Sequence, residues 1–210
     1  ERAEVLRGAV LVTQVRFPVT YMLGVSLALL AAAPRPLKHR DRVRFHIGTS
    51  EIMGRVILLD CDEVQPGEEV FAQLHLEESA IAAPQDRYVL RSYSPIQTIA
   101  GGVILDTIPA KHRRRRPQVL AQLTTLRDGS AADVLAVHLA NAEYAGLQWS
   151  DCLLRSPLDE TTLRTVLDDL QARGIGVPIE DNPPWLLHRE QYTRARAQIV
   201  RLLQEFHRAN

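Results

Sequence analysis

The sequence predicts a β plus α protein, a small antiparallel β-barrel followed by a winged-helix domain. Three observations carry this reading. Between Arg42 and Asp106 short runs alternate polar and apolar residues, the period of a half-buried strand. From Pro117 onward apolar residues recur at three- and four-residue steps, the period of an amphipathic helix. The charge changes sign at the same place: the first 116 residues carry 16 Lys+Arg against 13 Asp+Glu, and the remainder 9 against 12. Over all 210 residues the charges cancel and 46% of residues are hydrophobic, so the chain has the apolar surface to form two folded domains.

The elements follow in order. Arg42-Val-Arg-Phe-His-Ile-Gly alternates cleanly, and Gly54-Arg-Val-Ile-Leu-Leu is a second strand. Val64-Gln-Pro-Gly-Glu is a turn punctuated by Pro66-Gly67. Val70 to Glu77, Arg87 to Tyr93 and Gly102 to Asp106 bring the count to at least five strands over about 70 residues, with no helix between them, which favours a barrel or sandwich. Pro117 to Leu126 and Ala131 to Ala142 read as helices. The stretch from Pro157 to Gly174 is the clearest helix: acidic residues come early, Leu163, Val166, Leu167 and Leu170 share a face, and a glycine stops it. Two short strands, Ile175 to Ile179 and Trp185 to Leu187, flank the turn at Glu180-Asp-Asn-Pro-Pro, and a last helix runs from Arg189 to about His207. Three helices and a two-stranded wing give the winged-helix order.

Several functions are excluded by what is missing. The apolar run Val19 to Ala33 is too short for a bilayer span and is interrupted by Thr20, Gly24 and Ser26. The start, Glu1-Arg2-Ala3-Glu4, lacks the positive region of a signal peptide, and a chain opening on Glu in a strand-like pattern is expected to be a piece of a longer protein. No glycine is followed by lysine, so there is no phosphate-binding P-loop. There is no HExxH, no CxxC and no histidine cluster at metal-ligand spacing, so no catalytic, cofactor or metal residue is assigned. Cys152 beside His138 is better read as a packed core thiol than as a nucleophile pair. Only Lys38 and Lys111 are lysines, a bias that matches a genome rich in G and C and marks no site.

The first 116 residues resemble a known family. Arg35-Pro-Leu-Lys-His-Arg-Asp-Arg-Val-Arg-Phe-His-Ile-Gly-Thr-Ser-Glu-Ile-Met-Gly-Arg-Val resembles the start of the third domain of bacterial selenocysteine-specific elongation factors of the SelB type. The likeness continues through Gln65-Pro-Gly-Glu-Glu, Ala72-Gln-Leu-His-Leu-Glu-Glu, Asp86-Arg-Tyr-Val-Leu-Arg-Ser-Tyr-Ser-Pro and Ile99-Ala-Gly-Gly-Val-Ile-Leu-Asp. Two places depart from it: Thr13-Gln14 stands where a Pro-Gly turn is usual, and Leu23-Gly24 where a Leu-Asp pair is usual. Beyond residue 116 the likeness rests on module order alone. The resemblance divides the chain into the end of an elongation-factor second domain (1–16), a β-barrel third domain similar to that of elongation factor Tu (17–108), a basic linker (109–117), a winged helix (118–188) and a helix that can open a second winged helix (189–210).

What the resemblance implies is a cytoplasmic translational GTPase that delivers selenocysteyl-tRNA to the ribosome at recoded UGA codons with the help of an mRNA hairpin. GTP and Mg2+ would belong to a GTPase domain that these residues do not contain, so this piece is expected not to be an enzyme. Its share would be contacts to the tRNA backbone and a spacer to the mRNA-binding end. Lys38, His39, Arg40, His75, Arg87, Arg91, Gly101 and Gly102 are the candidate tRNA-facing residues, each with a plainer reading as a solvated strand face, or, for the glycines, a tight bend. Lys111, Arg113, Arg114, Arg115 and Arg116 form a basic linker that reads either as an RNA-binding arm or as a solvated hinge. The helix from Asp159 to Arg173 is too acidic for a DNA reader. A winged-helix transcription regulator with a barrel sensor domain is the alternative, and a protein-interaction scaffold a third. Exposed apolar surface is expected near Val5 to Leu11 and along the last helix.

Overall fold

A computed structural model describes residues 8–10 and 17–209. The chain divides into two compact units, the first ending at Asp128 and the second beginning at Gly129. The elongation-factor segment expected at 1–16 and the surface near Val5 to Leu11 fall largely outside the described residues.

The first unit contains β1 (Val19–Leu29), β2 (Leu37–Lys38), β3 (Arg42–Ile47), β4 (Ser50–Leu58), β5 (Glu63–Val64), β6 (Glu69–Ile81), β7 (Arg87–Ser92), β8 (Thr98–Asp106) and α1 (Pro117–Asp128). Six strands close into an antiparallel barrel in the order β1-β6-β4-β3-β7-β8, with β8 returning to β1. The alternation that marks β3 in the sequence is structural: Val43 and Phe45 point inward while Arg42 and Arg44 lie on the outer face. The barrel is filled by Leu23, Val25, Leu27, Phe45, Val56 and Leu90, all buried, and the Phe45 ring lies 5.6 Å from that of Tyr88. The Pro66-Gly67 turn forms as expected: Gly67 takes φ 91 at the third position and Glu68 N–H donates to the Gln65 carbonyl at 3.0 Å.

The sixth strand, β1, corresponds to what reads in the sequence only as an apolar run. Its pattern is Leu-Gly-Val-Ser-Leu-Ala-Leu, large residues inward and small ones outward, and small outward residues hide the usual polar alternation. The compact unit also runs past the Pro117 boundary. Arg127 at the end of α1 donates to Glu69 at 3.0 Å and sits 5.1 Å over the Phe71 ring, so this helix belongs with the barrel.

The second unit contains α2 (Ala131–Asn141), β9 (Leu147–Gln148), α3 (Trp149–Arg155), α4 (Glu160–Ala172), β10 (Gly176–Asp181), β11 (Pro184–His188) and α5 (Arg189–Ala209). Helix, strand, helix, helix and hairpin, with the sheet ordered β10-β11-β9, is the winged-helix arrangement. Its first helix is therefore α2, and the short α3 supplies the helix that α1 was expected to provide. Ser130 and Asp133 close a capping box at the start of α2, and the Asp159 carboxylate caps α4 through Thr161 and Thr162. Leu135, Leu139, Cys152, Leu163, Leu167 and Leu186 form a separate core. Along α5, Ile199, Leu202, Leu203 and Phe206 are exposed. No helix among the described residues is long and apolar enough to cross a membrane.

Candidate nucleic-acid interface

The basic stretch Lys111 to Arg116 lies along the outside of the barrel as a strap, fixed by main-chain and side-chain bonds. Gln73, buried on the outer face of β6, donates to the Ala110 carbonyl at 2.8 Å and accepts from His112 N–H at 3.3 Å. Arg114 donates from Nε to the Leu58 carbonyl at 2.7 Å, from a terminal nitrogen to the Cys61 carbonyl, and to Asp62 at 2.6 Å. Arg115 N–H donates to the Leu59 carbonyl at 2.6 Å, and its guanidinium pairs with Asp62. Two arginines of the run are thus structural. Lys111, Arg113 and Arg116 remain exposed and make no ion pair among the described residues.

The candidates from the barrel fall into two groups. His39 and Arg40 follow β2, where His39 N–H donates to the Asp62 carbonyl at 2.8 Å and Arg40 N–H to the Val56 carbonyl at 2.7 Å. Lys38 and Arg40 are exposed. On the outer face Arg42, Arg55 and His75 stand opposite one another in a row across β3, β4 and β6. Arg55, which sequence reasoning alone does not single out, donates to the Arg40 carbonyl at 3.2 Å. Most nearby carboxylates are already used: Glu77 takes both ends of the Arg42 guanidinium at 2.9 and 2.7 Å, Asp41 takes Arg35, and Asp62 takes Arg114 and Arg115. Arg40, Arg55 and Lys111 therefore stand on one face without an ion pair among the described residues, Arg55 sharing only the more distant field of Glu77.

Arg87 and Arg91 lie elsewhere. Arg87 opens β7 near the β3–β4 turn, at the end of the barrel opposite Arg40, beside a cavity of about 610 Å³ lined by Ile47, Thr49, Ser50 and Asp86. Arg91 faces Arg44 across β3 and β7, with its Nε buried and unpartnered. Gly102 is spent inside the barrel. A Cβ there would stand 1.9 Å from the Ser26 carbonyl oxygen, and the Tyr88 hydroxyl donates to that same oxygen at 2.8 Å. Gly101 on the outer face approaches the Tyr88 carbonyl at 3.0 Å from its would-be Cβ.

The histidines of this unit respond to their surroundings. Burial is the main reason His39, His75 and His112 sit below the ordinary histidine range near 6.5. The charges of Lys111 and Arg40 push His75 further down, and those of Arg114 and Arg40 do the same to His39 against the pull of Asp62. Each folded-state value lies below the unfolded one, so unfolding takes up protons as the medium turns acidic. Stability is expected to be complete above about pH 6.5 and to fall as pH drops below it, a slope that urea denaturation at pH 8, 6.5 and 5.5 will measure. A flat profile across that window would contradict the burial argument.

Among the described residues no group of three His, Cys, Asp or Glu side chains is arranged to hold a metal ion. Burial pushes the Cys61 thiol up to about 11 and the Cys152 thiol to about 12, so both stay protonated at neutral pH. In the winged helix, α4 offers little to a phosphate backbone. Arg164 is stacked 4.7 Å over Trp149, Arg173 is held by Asp133 and Asp169, and Asp168, Glu180 and Asp181 are exposed.

Residues 25–111 match the family model described as selenocysteine-specific elongation factor, beta-barrel domain. The chain is a homologue of the selenocysteine-specific elongation factors. The match to the factors' barrel starts within β1 and ends inside the strap, at Lys111. The selenocysteine-specific elongation factor of Desulfomicrobium baculatum is 29% identical over 209 residues, covering 99% of this chain and 33% of its own length. That of Escherichia coli (strain K12) is 34% identical over 105 residues, 50% of this chain and 16% of the relative. That of Haemophilus influenzae is 25% identical over 163 residues, 76% and 26% respectively. This homologue thus spans a third or less of the length of the factors it matches. The first alignment also carries the likeness through the winged helix, where the sequence by itself offers module order alone.

Proposed function

We propose that this chain is part of a cytoplasmic translational GTPase that delivers selenocysteyl-tRNA to the ribosome at recoded UGA codons with the help of an mRNA hairpin. Its share is to contact the tRNA backbone through the barrel and to hold the mRNA-binding end at a distance. The observation that carries the reading is the exposed, unpaired charge of Lys38, Arg40 and Lys111 on a barrel homologous to that of the selenocysteine factors. A phosphate backbone is recognised by cations at fixed spacing, with little need for base readout, and a closed barrel fixes that spacing. The 2′-hydroxyls and phosphates of an A-form helix suit such a surface better than a groove-reading helix does. The spacer role is supported by α4 and the wing, whose exposed Asp168, Glu180 and Asp181 disfavour nucleic acid. GTP and Mg2+ would be bound elsewhere in such a factor.

A salt-stepped anisotropy titration tests this, with selenocysteine tRNA, an elongator tRNA, a selenocysteine-type mRNA hairpin and duplex DNA as ligands. The expected result is salt-steep binding to tRNA over hairpin and duplex. Neutralising Lys38 and Arg40 together is expected to reduce the slope of log K against log salt by up to ~0.9 for each phosphate no longer neutralised. Arg87, at the far end of the barrel, is neutralised separately. Preference for duplex DNA would favour a transcription regulator instead, and no nucleic-acid binding at all would remove the tRNA role from this piece.

A further inference from the structure

We propose that Arg40, Arg55 and Lys111 form a phosphate clamp over His75, and that RNA loading on this clamp is coupled to proton uptake at His75. This rests on the tRNA-backbone reading above and names where and how that backbone would be held.

The three cations come from three different segments. Arg40 belongs to the turn before β3, Arg55 to β4 and Lys111 to the strap. Arg40 is held at φ 70, a left-handed conformation that a non-glycine side chain keeps only where its surroundings fix it. Here they do: its N–H is bound by Val56 and its carbonyl by the Arg55 guanidinium. Lys111 is carried by a strap that Gln73, Arg114 and Arg115 tie to the barrel, so its position is set before any ligand arrives. Fixed cations lose less freedom on binding than a disordered arm does.

His75 lies beneath them on the outer face of β6, opposite Arg55 on β4 and Met22 on β1, with Nε2 buried and without a hydrogen-bond partner. The ionisable groups around it are Arg55 from β4, Arg40 from the turn, Lys111 and His112 from the strap, and Glu77 two residues along its own strand. Glu77 is committed to Arg42. His75 therefore feels a positive field with no free carboxylate to offset it, and burial and that field both hold the imidazole neutral. A phosphate drawn onto Arg40, Arg55 and Lys111 cancels the field. The imidazole then gains a proton more readily, and by linkage RNA binds more tightly as pH falls. His39 lies under Arg40 and Arg114 but has Asp62 beside it, so its response is expected to be smaller.

The test uses the whole 210-residue chain with selenocysteine tRNA and a plain A-form RNA duplex as probes, titrated at pH 6.0, 7.0 and 8.0 in constant salt. Affinity is expected to rise several-fold from pH 8.0 to 6.0, and His75→Gln to remove most of that rise. Arg55→Met and Lys111→Met are each expected to lower the salt slope by up to ~0.9. If His75→Gln disturbs folding, the ring protons of His75 in the wild-type chain, followed by NMR with and without RNA, report the same upward shift directly. Salt-steep binding that is independent of pH, with an unmoved His75, would overturn the clamp and leave the tRNA reading standing. No binding to either RNA would overturn both.

Discussion

Gly102→Ala is expected to destabilise the barrel unit by more than ~3 kcal/mol, the largest effect of any single methyl group in this chain. The added Cβ would sit 1.9 Å from the Ser26 carbonyl oxygen and 2.9 Å from its carbon, and both are backbone atoms that no rotamer change can move. Gly102 pairs with Leu27 on β1 and with Tyr88 on β7, so relief requires β8 to withdraw from both neighbours where the barrel closes. The same movement pulls the Ser26 carbonyl from the Tyr88 hydroxyl, whose burial keeps it protonated and therefore a donor. Gly24→Ala on the facing strand is the control. Its Cβ would meet the Asp106 side chain at 3.4 Å, an ordinary contact, and a loss below about 1 kcal/mol is expected. Both tryptophans, Trp149 and Trp185, lie in the winged-helix unit, so barrel unfolding is followed by far-ultraviolet circular dichroism or hydrogen exchange. A Gly102→Ala chain as stable as wild type would mean that the barrel does not close through β1 and β8.

The same glycine shows what sequence patterning can and cannot carry. The alternation of Val43 and Phe45 with Arg42 and Arg44 is local, and it identifies β3 with its inward face. The Pro66-Gly67 turn is also local, since proline sets one φ and glycine permits the other. β1 escapes because its outward positions are Gly24, Ser26 and Ala28, small residues that break no hydropathy run. α1 carries the helical period, but nothing in a helix's own sequence says which core it joins. That is decided by Arg127 meeting Glu69 and Phe71, residues more than fifty positions away.

The candidate interface divides along the same line. Basic residues are visible in any sequence, whereas the carboxylates that neutralise them are found only by register. Arg42 and Arg55 look alike as strand arginines. The first is consumed by Glu77 and the second is not, and only the β3–β4–β6 alignment separates them. Arg87 and Arg40 resemble one another equally well in sequence but open opposite ends of the barrel. The resemblance to the selenocysteine factors leads to His75. Its unpartnered Nε2 and the lysine above it depend on where the strap runs.

That strap gives the second large effect. Arg114→Ala is expected to release residues 110–116 from the barrel and to cost about 2 kcal/mol, because a charged group donating to two carbonyls is removed at once. The Leu58 and Cys61 carbonyls lose their partner, and Asp62 keeps only Arg115. Hydrogen exchange at His112 and Arg115, whose N–H groups are bound by Gln73 and Leu59, is expected to accelerate with the loss. Arg113→Ala removes the same charge from the same run, but its side chain makes no ion pair among the described residues, so exchange and stability should stay at wild-type values. The comparison separates position from charge. If the strap serves only as a basic tether, the two variants lose RNA affinity equally. If Lys111 must stand fixed over the barrel, Arg114→Ala loses far more than Arg113→Ala, because a mobile lysine must be ordered again each time a phosphate binds. Equal exchange rates in the two variants would show that Arg114 does not hold the strap.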